Sequence, residues 1–170
     1  MAKCTAADCT GTIKVAVVDN TGNGGTYTSI AIGNDGLPVI SYLFSSPGPQ
    51  LRVAKCVAAD CSGATTVTTL DSTGAIMYST SIAVPPDGLP IVSYYSNTGG
   101  DLKVARCANP SCTGTPVIVV VDSTDAVGQF SSITIGTDGL PVVSYYDTTG
   151  QSLKITKCAN PFCLANLSRR

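Results

Sequence analysis

The sequence predicts an all-β fold, and three observations carry that prediction. The first is composition. Gly, Ser, Thr and Val are abundant, only 12% of the 170 residues are charged, and there is no Glu, His or Trp. The charged share is about half that of an ordinary soluble domain, and the mixture favours pleated strands and tight turns over helices. The second is a regular alternation of short apolar segments with Asp-Gly and Thr-Gly turn signals. At about six residues each, the segments have the length of strands. The third is an internal repeat that covers nearly the whole chain.

The cysteines measure the repeat. Cys4, Cys56, Cys107 and Cys158 are spaced by 52, 51 and 51 residues, and Cys9, Cys61, Cys112 and Cys163 each follow by five. Asp19, Asp71 and Asp122 keep the same step, as do the Asp-Gly pairs that begin at Asp35, Asp87 and Asp138. This gives a single repeat domain over 1–170, with repeats at about 4–55, 56–106 and 107–157 and a tail at 158–170. The extra residue of the first repeat falls in "LFSSPGPQ" (43–50), where a surface loop tolerates insertion.

Each element has its reason. Strand A, "SSITIG" in the last copy, alternates apolar and polar residues and centres on Ser29, Ser81 and Ser132. A short Asp-Gly connection follows, with Gly suited to the left-handed position of a tight hairpin. Strand B, "LPVVSYYD", centres on Val39, Ile91 and Val142. Its prolines Pro38, Pro90 and Pro141 lie two residues past the turn, where a missing N–H costs little. Strand C, "SLKITKC", begins at Leu51, Leu102 and Leu153. After the Cys-bounded loop, strand D lies near Ile13, Val67 and Val117, as in "TPVIVVVD".

Four antiparallel strands repeated at this length match a β-propeller blade. The alternative, a sandwich of about twelve strands, does not call for such strict repetition. The stretches "DGLPVVSYYDTTGQSLKITKC" and "DGLPIVSYYSNTGGDLKVARC" resemble blade repeats of bacterial β-propeller proteins of the "DGxPxISYYD…GDLKxA" kind. The resemblance implies a blade and no particular activity. The Trp-Asp dipeptide of WD40 blades and the Trp-terminated Asp-box of sialidases are both absent.

Counting strands gives three four-stranded blades per chain, in permuted order: the chain starts at a D strand and finishes after a C strand. The first D strand, "TIKVAVVD", is therefore expected to complete the blade begun by the last A–B–C. Three blades are too few for a ring, since propellers have about four to eight, and an unclosed set exposes apolar faces and a strand edge. The expected partner is the chain itself: a homodimer of six blades, or a homotrimer of nine, with the N-terminal D strand crossing between chains. The duplicated Cys loops read as a segment of a longer array or an engineered assembly of repeats.

The eight cysteines, Cys4, Cys9, Cys56, Cys61, Cys107, Cys112, Cys158 and Cys163, read as four local disulfides, each closing a C–D loop. Zinc sites use closer spacing and often His, so no metal is expected. Disulfides place the natural parent in a secreted or periplasmic setting, although "MAKC" is not a signal peptide. The balance of 10 Lys plus Arg against 11 Asp leaves no basic block for nucleic acid. The longest apolar run, "PVIVVV", is too short for a membrane helix.

Without His there is no Ser-His-Asp or Cys-His arrangement. The aspartates have local roles: Asp35, Asp87 and Asp138 in hairpin turns, and Asp19, Asp71 and Asp122 in Asx-type turns. No catalytic residue and no cofactor is expected, and the chain reads as a non-enzymatic scaffold. Tyr42, Tyr94 and Tyr145 recur and read as packing between blades. Arg52, Lys103 and Lys154, with Lys55, Arg106 and Lys157, read as a solvated strand face. The alternative function is carbohydrate binding at the mouth of the B–C loop, where Tyr95, Tyr146 and Asp147 could stack on and hydrogen-bond a sugar.

Overall fold

The computed structural model describes residues 13–74 and 76–164, together with the backbone of residues 2–3. The chain runs β1 (Ala2–Lys3), β2 (Lys14–Val15), β3 (Gly24–Ile32), β4 (Pro38–Phe44), β5 (Gln50–Cys56), β6 (Thr65–Asp71) and β7 (Ile76–Ala83). It continues as β8 (Ile91–Ser96), β9 (Asp101–Arg106), β10 (Val117–Asp122), β11 (Val127–Ile135), β12 (Pro141–Asp147) and β13 (Ser152–Lys157). No helix occurs among the described residues.

All pairings are antiparallel between sequence neighbours. The first sheet is β3-β4-β5-β6, the second β7-β8-β9-β10, and the third the three strands β11-β12-β13. This corrects one expectation within the chain. The D-type segment that contains β2 pairs with β1 and leaves β13 without a fourth strand. Lys14 reaches Asp60 at 3.5 Å and the Thr65 hydroxyl donates to the Val18 carbonyl at 2.7 Å, so the segment lies against the first sheet.

The sheets stack through alternating faces, because successive residues of a strand point to opposite sides. Val39, Leu51 and Val53 of the first sheet share a core with Ile82, Val92 and Tyr94 of the second. Ile91, Leu102 and Val104 of the second share the next core with Ile133, Val143 and Tyr145 of the third. Innermost strands also stitch the stack. The amides of Ile82 and Ile133 donate to the hydroxyls of Ser29 and Ser81 at 3.2 and 3.1 Å. Ser41 bonds Thr80 at 2.8 Å and Ser93 bonds Ser131 at 3.0 Å, both pairs buried. These serines satisfy one another in a layer that water does not reach.

The C–D loops carry the disulfides Cys56–Cys61, Cys107–Cys112 and Cys158–Cys163. The expected Cys4–Cys9 pair lies outside the described residues. The three bonds fit an extracellular or periplasmic setting.

The expectation of a solvated face on strand C fails at two of its basic residues. Lys55 and Arg106 are buried, and each pairs with the hairpin aspartate of its own sheet: Lys55 with Asp35 at 2.8 Å, and Arg106 with Asp87. Lys157 pairs with Asp138 at 2.5 Å. In each hairpin the aspartate also accepts the amide two residues on, from Leu37, Leu89 and Leu140. One carboxylate thus closes the turn and holds the cation, which offsets part of the cost of taking a charged head out of water.

Candidate functional site

The end of the sheets that carries the D–A and B–C loops concentrates the chemistry. Here Asp19, Asp71 and Asp122 terminate the D-type segments. One oxygen of each accepts from Thr21, Thr73 or Thr124, at 2.9, 2.7 and 3.0 Å to the backbone amide, and the threonine hydroxyls donate to the same oxygen. The second oxygen accepts a phenol hydroxyl from the following sheet: Tyr42 to Asp19 at 2.6 Å, Tyr94 to Asp71 at 2.6 Å and Tyr145 to Asp122 at 2.7 Å. The recurring tyrosines therefore pack between sheets and also clamp them together.

These contacts set the local charges. Burial opposes ionisation of Asp19, but donation from Thr21 and Tyr42, with Arg52 nearby, brings its pKa down to about 2. Asp122 falls to about 2 against the same opposition, through Thr124, Tyr145 and Lys154. Burial, then the adjacent carboxylate, pushes the Tyr42, Tyr94 and Tyr145 phenols well above the ordinary tyrosine value. The Arg52 guanidinium lies 3.4 Å over the Phe44 ring and reaches Asp19 at 3.3 Å. Lys154 bridges Asp147 at 3.0 Å and Asp122 at 3.5 Å.

The three residues singled out for sugar contact have different fates. Tyr95 is buried between the second and third sheets. Tyr146 is half-buried on the uncovered side of the third sheet. Asp147 is drawn into its own turn, accepting the amides of Thr149 at 3.0 Å and Gly150 at 2.8 Å as well as Lys154.

What the tyrosine at 95 does bring into view is Tyr78, whose ring centroid lies 6.2 Å away. Tyr78 belongs to a set that the sequence pattern did not flag. Near the start of each innermost strand the A–B register slips, between Thr26 and Ser29, Met77 and Thr80, and Gln129 and Ser132. Each slip holds one exposed aromatic residue with a left-handed backbone: Tyr27 (φ 54°), Tyr78 (φ 68°) and Phe130 (φ 53°). Side-chain-bearing residues pay roughly 1 kcal/mol or more for that conformation, and bulges commonly re-aim side chains. The available signal was an aromatic residue just ahead of Ser-Ile in "GGTYTSI", "IMYSTSI" and "VGQFSSI".

No protein-family model matches the chain, and no curated protein sequence is similar to it. Its fold is found in solved structures that are β-propeller-like. An endo-1,4-β-xylanase from Bacteroides thetaiotaomicron is 16% identical with a TM-score of 0.54, over 78% of this chain and 54% of the xylanase. A thermostable family-43 glycoside hydrolase is 14% identical with a TM-score of 0.52, over 79% of this chain and 54% of that one. A fucose lectin from Kordia zhangzhouensis, solved with methyl-fucoside, is 9% identical with a TM-score of 0.51, over 78% of this chain and 98% of the lectin. The chain thus spans about half the length of the hydrolases it matches.

At these identities the likeness is one of fold. It still overturns the expectation of a non-enzymatic chain, because glycoside hydrolases stand among the structures that share the architecture. That expectation leaned on missing His and Glu, yet glycoside cleavage by a pair of carboxyl groups requires neither. The fold shown is all-β and propeller-like, shared by carbohydrate-active enzymes and a lectin.

Proposed function

We propose that the chain is a carbohydrate-recognising β-propeller module. The observation that carries this reading is the set Tyr27, Tyr78 and Phe130, one exposed ring per sheet, each held at a strained bulge. An exposed aromatic face is the surface on which the C–H side of a pyranose stacks, and nearby polar groups give it orientation. Tyr146, which pairs in register with Gln129 next to Phe130, supplies one such group. Solved neighbours that act on or bind sugars support the same substrate class.

Titration with methyl-fucoside, xylo-oligosaccharides and arabino-oligosaccharides, followed by calorimetry and Tyr fluorescence, tests this reading. The expected result is saturable binding to at least one of them that weakens about tenfold or more in Phe130→Ala and Tyr78→Ala. One stacked ring contributes about 1–3 kcal/mol by analogy with other aromatic stacking sites. No response to any of these sugars, or equal binding by both variants, would overturn it.

A second reading, a self-assembling propeller unit of two or three copies, rests on a different observation: the uncovered faces at the two ends of the stack.

A further inference from the structure

The two ends of the stack are copies of the two sides of its internal junctions. At the internal junctions one side presents Leu51 and Val53, or Leu102 and Val104, all no more than 1% exposed. Their counterparts in the third sheet, Leu153 and Ile155, are 82% and 72% exposed. The other side presents Ile82 or Ile133, 5% and 7% exposed, whereas the counterpart Ile30 in the first sheet is 51% exposed. Between the β2 segment and the first sheet lies an open cleft of about 520 Å³, lined by Val17, Gly25, Thr28, Ile30, Ile40 and Tyr42. Gly25 marks the same vacancy. At its counterpart Gly128, an added Cβ would sit 2.7 Å from the Leu102 backbone, while at Gly25 nothing lies within 4 Å.

We propose that these two faces bind each other between two copies of the chain, head to tail and twice, closing a ring of six sheets. Leu153 and Ile155 of one copy then cover Ile30, Ile40 and Gly25 of the other. The segment of β2 in the second copy becomes the missing fourth strand beside β13. The internal pairs Leu102↔Asp122, Lys103↔Val120, Val104↔Val119, Ala105↔Ile118 and Arg106↔Val117 give the register. Moved by one repeat, they set Leu153 opposite Asp19, Lys154 opposite Val17, Ile155 opposite Ala16, Thr156 opposite Val15 and Lys157 opposite Lys14. The last two cations are already neutralised, by Asp138 and Asp60. The polar layer continues too. Ser144 stands where Ser41 and Ser93 stand, and Thr28 where Thr80 and Ser131 stand, so the buried hydroxyl pair repeats across the junction.

Two copies are favoured over three because six blades lie within the usual range and nine do not. The occupant is a second copy because the complementarity is that of a junction the chain already makes twice. The same register shows what the new strand displaces. Ala2 and Lys3 pair with Val15 and Lys14, the positions that Thr156 and Lys157 of the incoming copy would take. β1 must leave for β13 to dock.

This assignment does not depend on sugar binding and is tested separately. Light scattering at micromolar concentration should give twice the 17.3 kDa chain mass. Ile155→Glu alone and Ile30→Lys alone should each give a monomer, with near-ultraviolet circular dichroism unchanged because both side chains face solvent in the single chain. Mixing the two variants should restore a dimer, since one junction then pairs Glu with Lys and the other is unaltered. A monomeric parent chain or a trimer would overturn the six-sheet ring, and dimers that survive both single variants would overturn the assigned faces. Were Ile155→Glu to misfold, Leu153→Asp serves in its place in the same mixing experiment, with the same outcomes decisive.

Discussion

The tyrosine clamps make a graded prediction. Tyr94→Phe removes one hydroxyl and nothing else. Tyr94 and Asp71 are 0% and 3% exposed, so the orphaned carboxylate oxygen cannot recruit bulk water. A hydrogen bond to a charged group contributes about 1.5–3 kcal/mol, and its loss at a buried site leaves the desolvation cost standing. The expected destabilisation is therefore about 2 kcal/mol. Tyr42→Phe should cost less, about 1 kcal/mol, because Arg52 stands 3.3 Å from the same oxygen of Asp19 and can take over. Tyr145→Phe resembles Tyr42→Phe, with Lys154 at 3.5 Å from Asp122. Urea denaturation at one fixed protein concentration measures the series. With a slope of about 2 kcal/mol per molar, the midpoint falls by about 1 M for Tyr94→Phe and about 0.5 M for the other two. Equal losses in all three variants would refute the reasoning, since they would mean that the neighbouring cation contributes nothing.

Further outcomes are expected. Because Asp19 and Asp122 ionise at about 2 in the folded chain against an ordinary 3.8, their contribution is fully present above about pH 4 and lost as pH falls through 2; stability from urea denaturation should hold from pH 7 to 5 and then fall, by about 2 kcal/mol for each carboxylate, or about 1 M in midpoint. Replacing Cys107 and Cys112 together by Ser opens a six-residue loop and should cost about 2 kcal/mol, or roughly 4–8 °C in Tm by calorimetry. Gly128→Ala drives a Cβ into the Leu102 backbone and should destabilise by about 3 kcal/mol or more, whereas Gly25→Ala, made in the monomeric Ile155→Glu background where nothing lies within 4 Å of it, should cost only the backbone strain of φ +97°, about 1 kcal/mol, in the same urea assay. A chain that begins at Thr10 lacks β1 and should dimerise at several-fold lower concentration, as read by sedimentation.

Much of the architecture was legible in the residues. The strand positions follow from period-two alternation between Asp-Gly and Thr-Gly turns, and the structure has strands at all of them. The local disulfides follow from a five-residue spacing that only a short loop can hold. The Asx turns at Asp19, Asp71 and Asp122 follow from a carboxylate two residues ahead of a threonine. These are properties of short segments, where spacing alone constrains geometry.

Tertiary structure decided what those segments meet. The second oxygen of each turn aspartate finds a tyrosine 23 residues away, and Lys55 and Arg106 turn inward, where the hairpin aspartates of their own sheets meet them. Periodicity puts Lys55 of β5 on the same side as Leu51 and Val53, and Arg106 of β9 on the same side as Leu102 and Val104, but is silent on whether another sheet covers that side. The three bulge aromatics were hidden for a related reason: a left-handed residue outside glycine is selected by packing on both flanks, with no signature in the residue type. By itself the sequence determined a repeated sheet, three times stated, with Leu153 and Ile30 as formal equivalents of core residues. Only the stacked structure showed that these equivalents lie open to solvent, because burial belongs to pairs of surfaces and no single strand carries both.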